Sequence, residues 1–169
     1  MKPPEAEPIE WERVRALLLD SDGVLTDGGI YLPETAEAEF RRFDIKDGFG
    51  IARLVARKFP IAVISRSPSV PVRTRCERLG IPDVFLGIED KDACAGEYLD
   101  RIGVDWSETA FMGDDVPDLP LLRKVGYPLA PADASPEVHG AAVWISRRSG
   151  GHGAVREACD RIFAAIRDA

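Results

Sequence analysis

The chain has 169 residues, a net charge of −7, 45% apolar and 30% charged side chains. That length suits a single domain with a sizeable core, and the composition is that of an ordinary soluble globular protein. The negative balance excludes a general binder of nucleic acid or anionic membrane, though not a local cationic pocket. Cys76, Cys94 and Cys159 form neither a metal-ligand spacing nor a disulfide framework, so the expected compartment is a reducing cytoplasm. No apolar run is long enough to span a bilayer, and Met1 to Glu12 lacks a signal-peptide core. The expected division is a flexible tail over 1–12 and one domain over 13–169.

In chain order, Ala16 to Leu19 is a short apolar run followed by turn residues, as in a strand buried on both faces of a parallel sheet. A hairpin follows, with Gly29 to Leu32 as one arm, Glu37 to Phe43 as the other and Pro33-Glu34-Thr35 near the turn. Helical spacing begins at about Asp47, with Ile51, Leu54 and Val55 on one face. Ile61 to Ile64 reads as a second strand ending at Ser65, and Val72 to Leu79 as a helix stopped by Gly80. Val84 to Leu86 is a third strand candidate, and Asp92 to Ile102 a helix ended by Gly103. Thr109 to Met112 is a fourth strand, running into Gly113-Asp114-Asp115. Leu119 to Val125 reads as a short helix, and Tyr127 to Ala130 and Ala142 to Ile145 as strands. Ala154 to Ile166 is an amphipathic helix after the turn Gly150-Gly151-His152-Gly153. This alternation predicts an α/β fold, a doubly wound parallel sheet of Rossmann-like type, with a small β-hairpin and no cap domain.

In such sheets ligands bind beyond the carboxyl ends of the strands, where Asp20, Asp22, Ser65, Asp114 and Asp115 fall. If strand geometry persists, Asp20 and Asp22 point the same way. Two such acids repel unless a cation or a shared proton relieves them; a plain Asp-Gly turn is the alternative. Converging carboxylates make a hard-cation site suited to magnesium. With a cation present, an ionised Asp20 can attack phosphorus. Asp22 can then give a proton to the leaving oxygen and later take one from water. Ser65 supplies a hydroxyl and Lys91 a point charge for the phosphoryl oxygens. Plainer readings stand beside these: Ser65 as a helix cap, Lys91 as a solvated lysine, Asp118 as a cap or surface acid.

Asp20 to Gly28, Ser65, Lys91 and Gly113 to Asp118 resemble the four motifs of haloacid-dehalogenase-type phosphatases. Asp47-Gly48-Phe49-Gly50-Ile51, Arg75-Cys76 and Gly150 to Glu157 narrow the resemblance to the 3-deoxy-D-manno-octulosonate 8-phosphate (KDO 8-phosphate) phosphatase family. The likeness runs from about Arg15 through nearly the whole chain. It implies Asp20 as the nucleophile, forming an aspartyl-phosphate, and Asp22 as acid/base and backbone-carbonyl ligand of magnesium. It implies Asp20 and Asp114 as side-chain ligands, Asp115 and Asp118 in support, and Ser65 and Lys91 on phosphate. The family's usual Thr-Gly-Arg is here Ser65-Arg66-Ser67, so the expectation divides: a sugar-acid carboxylate held differently, or a substrate other than KDO 8-phosphate. Arg75 matches an arginine that reaches a neighbouring subunit's site, and Arg78 can add to it. Related phosphatases close their uncapped sites by forming tetramers through the hairpin, which makes a homotetramer the expectation here.

The leading expectation is thus a magnesium-dependent phosphatase of a small phosphorylated sugar acid, with no nucleic-acid or membrane partner. Two alternatives belong to other classes. A receiver-like phospho-accepting domain also combines aspartates, a hydroxyl and a lysine, but lacks an acid/base two residues after the acceptor. A catalytically weak assembly module is disfavoured by the retention of Asp20, Asp22, Lys91 and Asp114.

Overall fold

The computed structural model describes residues 9–34 and 39–167. Its strands are β1 (Ala16–Leu19), β2 (Ile61–Ser65), β3 (Asp83–Leu86), β4 (Thr109–Met112), β5 (Tyr127–Ala130) and β6 (Trp144–Ile145). They form one parallel sheet in the order β3-β2-β1-β4-β5-β6. The helices are α1 (Ile45–Val55), α2 (Val70–Leu79), α3 (Lys91–Ile102), α4 (Leu119–Leu122), α5 (Pro136–Ala141) and α6 (Ala154–Arg167).

The four apolar residues of β1 explain the two-sided architecture. Successive side chains point to opposite faces: Leu17 and Leu19 join one core with α1, α2 and α6 residues such as Ile51, Val72 and Ile162. Ala16 and Leu18 join the other, with Leu99 of α3, Leu122 of α4 and Val138 of α5. A strand covered on both faces reads as an unbroken apolar run rather than an alternating one. Local signals set the helix ends. Asp44 accepts from the Lys46 amide at 2.7 Å to open α1, and Asp90 from the Ala93 amide at 3.0 Å to open α3. Gly103 closes α3 in the left-handed region at φ 68°.

Several expected boundaries shift. Ile9 and Trp11, placed in the loose opening by composition, pack against the first core, and Trp11 meets Trp144 edge-on at 5.5 Å between ring centres. The hairpin forms as two isolated antiparallel pairings, Thr26 with Phe43 and Tyr31 with Phe40; Thr35 and Glu37 lie outside the described residues. Helix α5 was not expected: six residues that bury Val138 are too short for periodicity to reveal. It takes up the segment before Ala142 and shortens the last strand to two residues. Helix α4 stops at Leu122, three residues early, after a 3-10 turn over Val116–Asp118. Between β1 and α1 the described chain holds the hairpin arms and no cap domain.

Candidate active site

Strand order reverses at β1 and β4, which opens a crevice at their carboxyl ends. Parallel register sets Leu19 beside Met112, and the Asp20 amide donates to the Met112 carbonyl at 3.0 Å. Asp20 and the Gly113-Asp114 segment therefore leave the sheet side by side. A pocket of about 200 Å³ lies there, lined by Asp20, Asp22, Ser65, Arg66, Ser67, Lys91, Asp114, Asp115, Pro117 and Asp118.

Lys91, first residue of α3, is buried, so it is not the solvated lysine of the plainer reading. Its Nζ donates to Asp20 Oδ1 and to Asp118 Oδ1, each at 2.7 Å. Asp118 is buried too, and its Oδ2 accepts from the Asp114 amide at 3.0 Å. Carboxylate oxygens of Asp20, Asp114 and Asp118 all lie within 4.8 Å of one another. Burial, and then the charge of Asp118, push the Asp20 carboxyl up to about 6. Burial, and then Asp20, Asp118 and Asp115, push Asp114 up to about 8. Burial works to lower Lys91, but Asp20 and Asp118 outweigh it and raise the ammonium.

One ammonium against three clustered carboxylates leaves negative charge uncompensated, which a cation relieves. The donor set is all hard oxygen and fits magnesium. Both oxygens of Asp118 are already engaged, by Lys91 and by the Asp114 amide. Asp20 and Asp114 are then the side chains that remain to face the ion.

Strand geometry does not persist through Asp22. β1 ends at Leu19, and a turn closed by the Thr26 amide on the Ser21 carbonyl, at 3.0 Å, carries Asp22 to the pocket wall. Gly23 within that turn has φ 77°, and a β-carbon there would collide with the Asp114 carboxylate. Ser65 is a buried strand end rather than a cap; Ser69 precedes α2. Ser65 Oγ accepts from the Ser67 amide at 3.2 Å and shares a hydrogen bond with Ser21 Oγ at 2.7 Å. Arg66 is exposed at the pocket mouth, and Asp115 Oδ1 accepts from the Val116 amide at 2.8 Å.

Arg75 and Arg78 do not line this pocket. They line a groove of about 1030 Å³ with Glu39, Phe40, Phe43 and Val70, and the two cavities meet at Ser67. Arg75 also lies over Gly48 of α1, where a β-carbon would strike its guanidinium. Sequence reasoning missed Arg41, whose guanidinium is buried beside Asp22; a charge on a hairpin arm was its only signal. The glycine-rich turn has a visible purpose. β-carbons at Gly150 and Gly151 would collide with the backbone at Gly23 and at Thr26-Asp27, and the Gly151 amide donates to the Val24 carbonyl at 2.9 Å. The turn thus backs the loop that carries Asp22. The His152 ring sits 2.9 Å from the Gly150 carbonyl and is absent from the pocket lining.

Comparison with known proteins agrees with this geometry, although no family model matches the chain. The chain is 37% identical over 154 residues to the 3-deoxy-D-manno-octulosonate 8-phosphate phosphatase of Escherichia coli K12, spanning 91% of this chain and 81% of that protein. The crystal structure of the phosphatase of that name from Yersinia pestis has a TM-score of 0.89 at 35% identity, over 94% of this chain and 85% of that one. The Moraxella catarrhalis phosphatase, solved with magnesium, phosphate and KDO, has a TM-score of 0.88 at 29% identity, over 92% and 89%.

Proposed function

This chain belongs to the KDO 8-phosphate phosphatase family of the haloacid-dehalogenase superfamily, and from that premise we propose that it hydrolyses a phosphorylated eight-carbon sugar acid. The observation that carries the reading is the buried Lys91 bridging Asp20 and Asp118 beside Asp114, at the carboxyl ends of β1 and β4. The single phosphatase unit in this proposal runs over residues 13–169, with Ile9 and Trp11 packed against it.

Asp20, Asp114 and the Asp22 carbonyl would hold magnesium, which when bound offsets carboxylate charge and polarises the phosphoryl group. A carboxylate oxygen of Asp20 attacks phosphorus, and the bond to the sugar oxygen breaks with its electron pair going to that oxygen. Asp22 gives that oxygen a proton. Asp22 then takes a proton from water, whose oxygen attacks the aspartyl-phosphate and frees phosphate and Asp20. Ser65 and Lys91 hold the phosphoryl oxygens, and Asp115 and Asp118 hold the loop and the lysine.

Size supports a division of labour. A pocket of about 200 Å³ suits a phosphate group, while the adjoining groove of about 1030 Å³ has room for the sugar. Arg66 and Ser67 stand at the junction, and Arg75 and Arg78 supply positive charge for the sugar carboxylate. The protein acts as a homotetramer in this reading. The hairpin exposes Ile30, Leu32 and Phe40, of which Phe40 lines the groove, and a second copy would cover them and shield the open site. Free Cys76, Cys94 and Cys159 suit the cytoplasm.

The test is phosphate release from KDO 8-phosphate and from nine-carbon sugar-acid phosphates, with magnesium or chelator, for wild type and Asp20→Asn. Release is expected to need magnesium and to fall by about three orders of magnitude in the variant. Release unaffected by Asp20→Asn would refute the mechanism, and none from any substrate would favour the assembly-module alternative.

A further inference from the structure

The groove beside the phosphate pocket is polar in an ordered way. Arg75 and Arg78 are its cations, and Glu39 is the single acid among the described residues that line it. Glu39 is held on one side and open on the other. Its Oε1 accepts from Arg41 Nε at 2.7 Å and from Ser69 Oγ at 3.4 Å. Arg41 is itself anchored: its side chain is 5% exposed, and Nη1 donates to the Gly29 carbonyl at 3.1 Å. Ser69 stands where a cap of α2 is expected, yet its side chain makes no cap bond and turns to Glu39 instead. The Glu39 side chain stays 36% exposed, and Oε2 takes no hydrogen bond among the described residues.

Order along the groove follows from α2. Ser67 joins the groove to the pocket, and Glu39 meets Ser69, two residues on. Arg75 and Arg78 lie about 9 Å and about 14 Å beyond Ser69, at 1.5 Å of rise per helical residue. From the pocket outward the groove therefore offers a carboxylate first and two guanidiniums after it.

We propose that Glu39 is a specificity-determining residue: its Oε2 accepts a hydroxyl on the carbons next to the phosphate ester, so the site selects phosphates of polyhydroxy acids. The inference rests on the phosphatase reading above and narrows its substrate class. An ionised carboxylate only accepts, so an O–H suits it and a second anion at that place is repelled. Hydrogen bonds to a charged acceptor are the strong ones. A carboxylate already fixed by Arg41 and Ser69 also loses little freedom when the hydroxyl arrives. An ester whose neighbouring carbons carry only hydrogen would strip water from that charge and return no bond. The arginines beyond then meet the carboxylate at the far end of the same molecule.

The experiment compares two ligands of the same site. KM for the sugar-acid phosphate that the wild type turns over fastest, and Ki for n-butyl phosphate against it, are measured with magnesium for wild type, Glu39→Ala and Glu39→Gln. n-Butyl phosphate is an alkyl ester of the same kind without a hydroxyl. In Glu39→Ala the KM is expected to rise about 10- to 100-fold, while the Ki stays within about threefold or falls. Glu39→Gln keeps the size and one acceptor oxygen, so its KM rises less, by about three- to tenfold, and it serves should Glu39→Ala fold poorly. If Glu39 only holds Arg41 and the hairpin, KM and Ki rise together, and that result overturns the proposal, as does an unmoved KM whatever happens to kcat. Wild type that hydrolyses no sugar-acid phosphate with magnesium defeats the phosphatase reading itself. Wild type that does so, with KM and Ki unmoved in the variants, defeats only the role of Glu39.

Discussion

Gly23 occupies the left-handed region with Asp114 against its α-carbon, so it answers two demands at once. An L-residue there costs about 1–2 kcal/mol in backbone conformation alone, and its side chain would also displace a carboxylate. Gly23→Ala is therefore expected to weaken magnesium binding, read by calorimetry, and to lower kcat by about 100-fold, as misplacement of roughly 1 Å does. Unchanged affinity would mean that Asp114 moves aside at little cost. Chemistry at this scale was largely legible in the chain. Asp20, Ser65, Lys91 and Asp114 announce themselves by standing at strand ends or a helix start beside other polar groups. Two contacts were not legible. The Ser21–Ser65 hydrogen bond depends on a turn beginning right after Leu19, and the Arg41–Asp22 pair on a hairpin held by two isolated pairings. Neither leaves a periodic trace, because irregular backbone has no period.

Among the elements, α1 and α6 show why a glycine-punctuated helix is useful. Asp47 in the first turn of α1 accepts from the amides of Gly153 and Arg156, at 3.2 Å and 2.7 Å, and so caps α6 from another helix. Gly50 lets the two helices approach, for a β-carbon there would lie 2.9 Å from that of Cys159. Asp47→Ala removes the cap and is expected to cost about 1–2 kcal/mol, measured by urea unfolding. A loss below a few tenths would show that water replaces the carboxylate. The Asp47-Gly48-Phe49-Gly50 run could be matched as a motif in the sequence, but its reason could not be read there, since both partners lie about a hundred residues away. Long, well-bounded elements such as α3, with an aspartate before it and a glycine after it, were read almost to the residue. Short ones, α4, α5 and β6, were blurred because a few residues offer too little pattern.

For the molecule as a whole, the acidic cluster ties stability to both pH and metal. Without magnesium, Asp20 and Asp114 keep their protons up to about 6 and about 8. Each therefore binds its proton more tightly folded than unfolded, and its contribution is full below the ordinary carboxylate value and is lost as pH rises through those two values. Magnesium relieves the ionised pair, so the melting-temperature gain on adding it is expected to be greater at about pH 8 than at about pH 5. A gain that is larger in acid would contradict the assignment. Asp47, lifted to about 6 by burial, tilts the metal-free curve the same way, but lies outside the pocket, so the magnesium-dependent difference isolates Asp20 and Asp114. The glycine-rich turn behind the Asp22 loop has a last consequence, for the order in which the protein becomes competent. A nascent chain presents every acid of the pocket by residue 118, yet the turn that buttresses the loop and the helix that covers Leu17 and Leu19 come from residues 150–167. A polypeptide paused on the ribosome before that point holds its carboxylates on an unfinished sheet, with one face of β1 incompletely covered. Competence thus waits until residues 150–167 have been made and can close over β1 and the Asp22 loop.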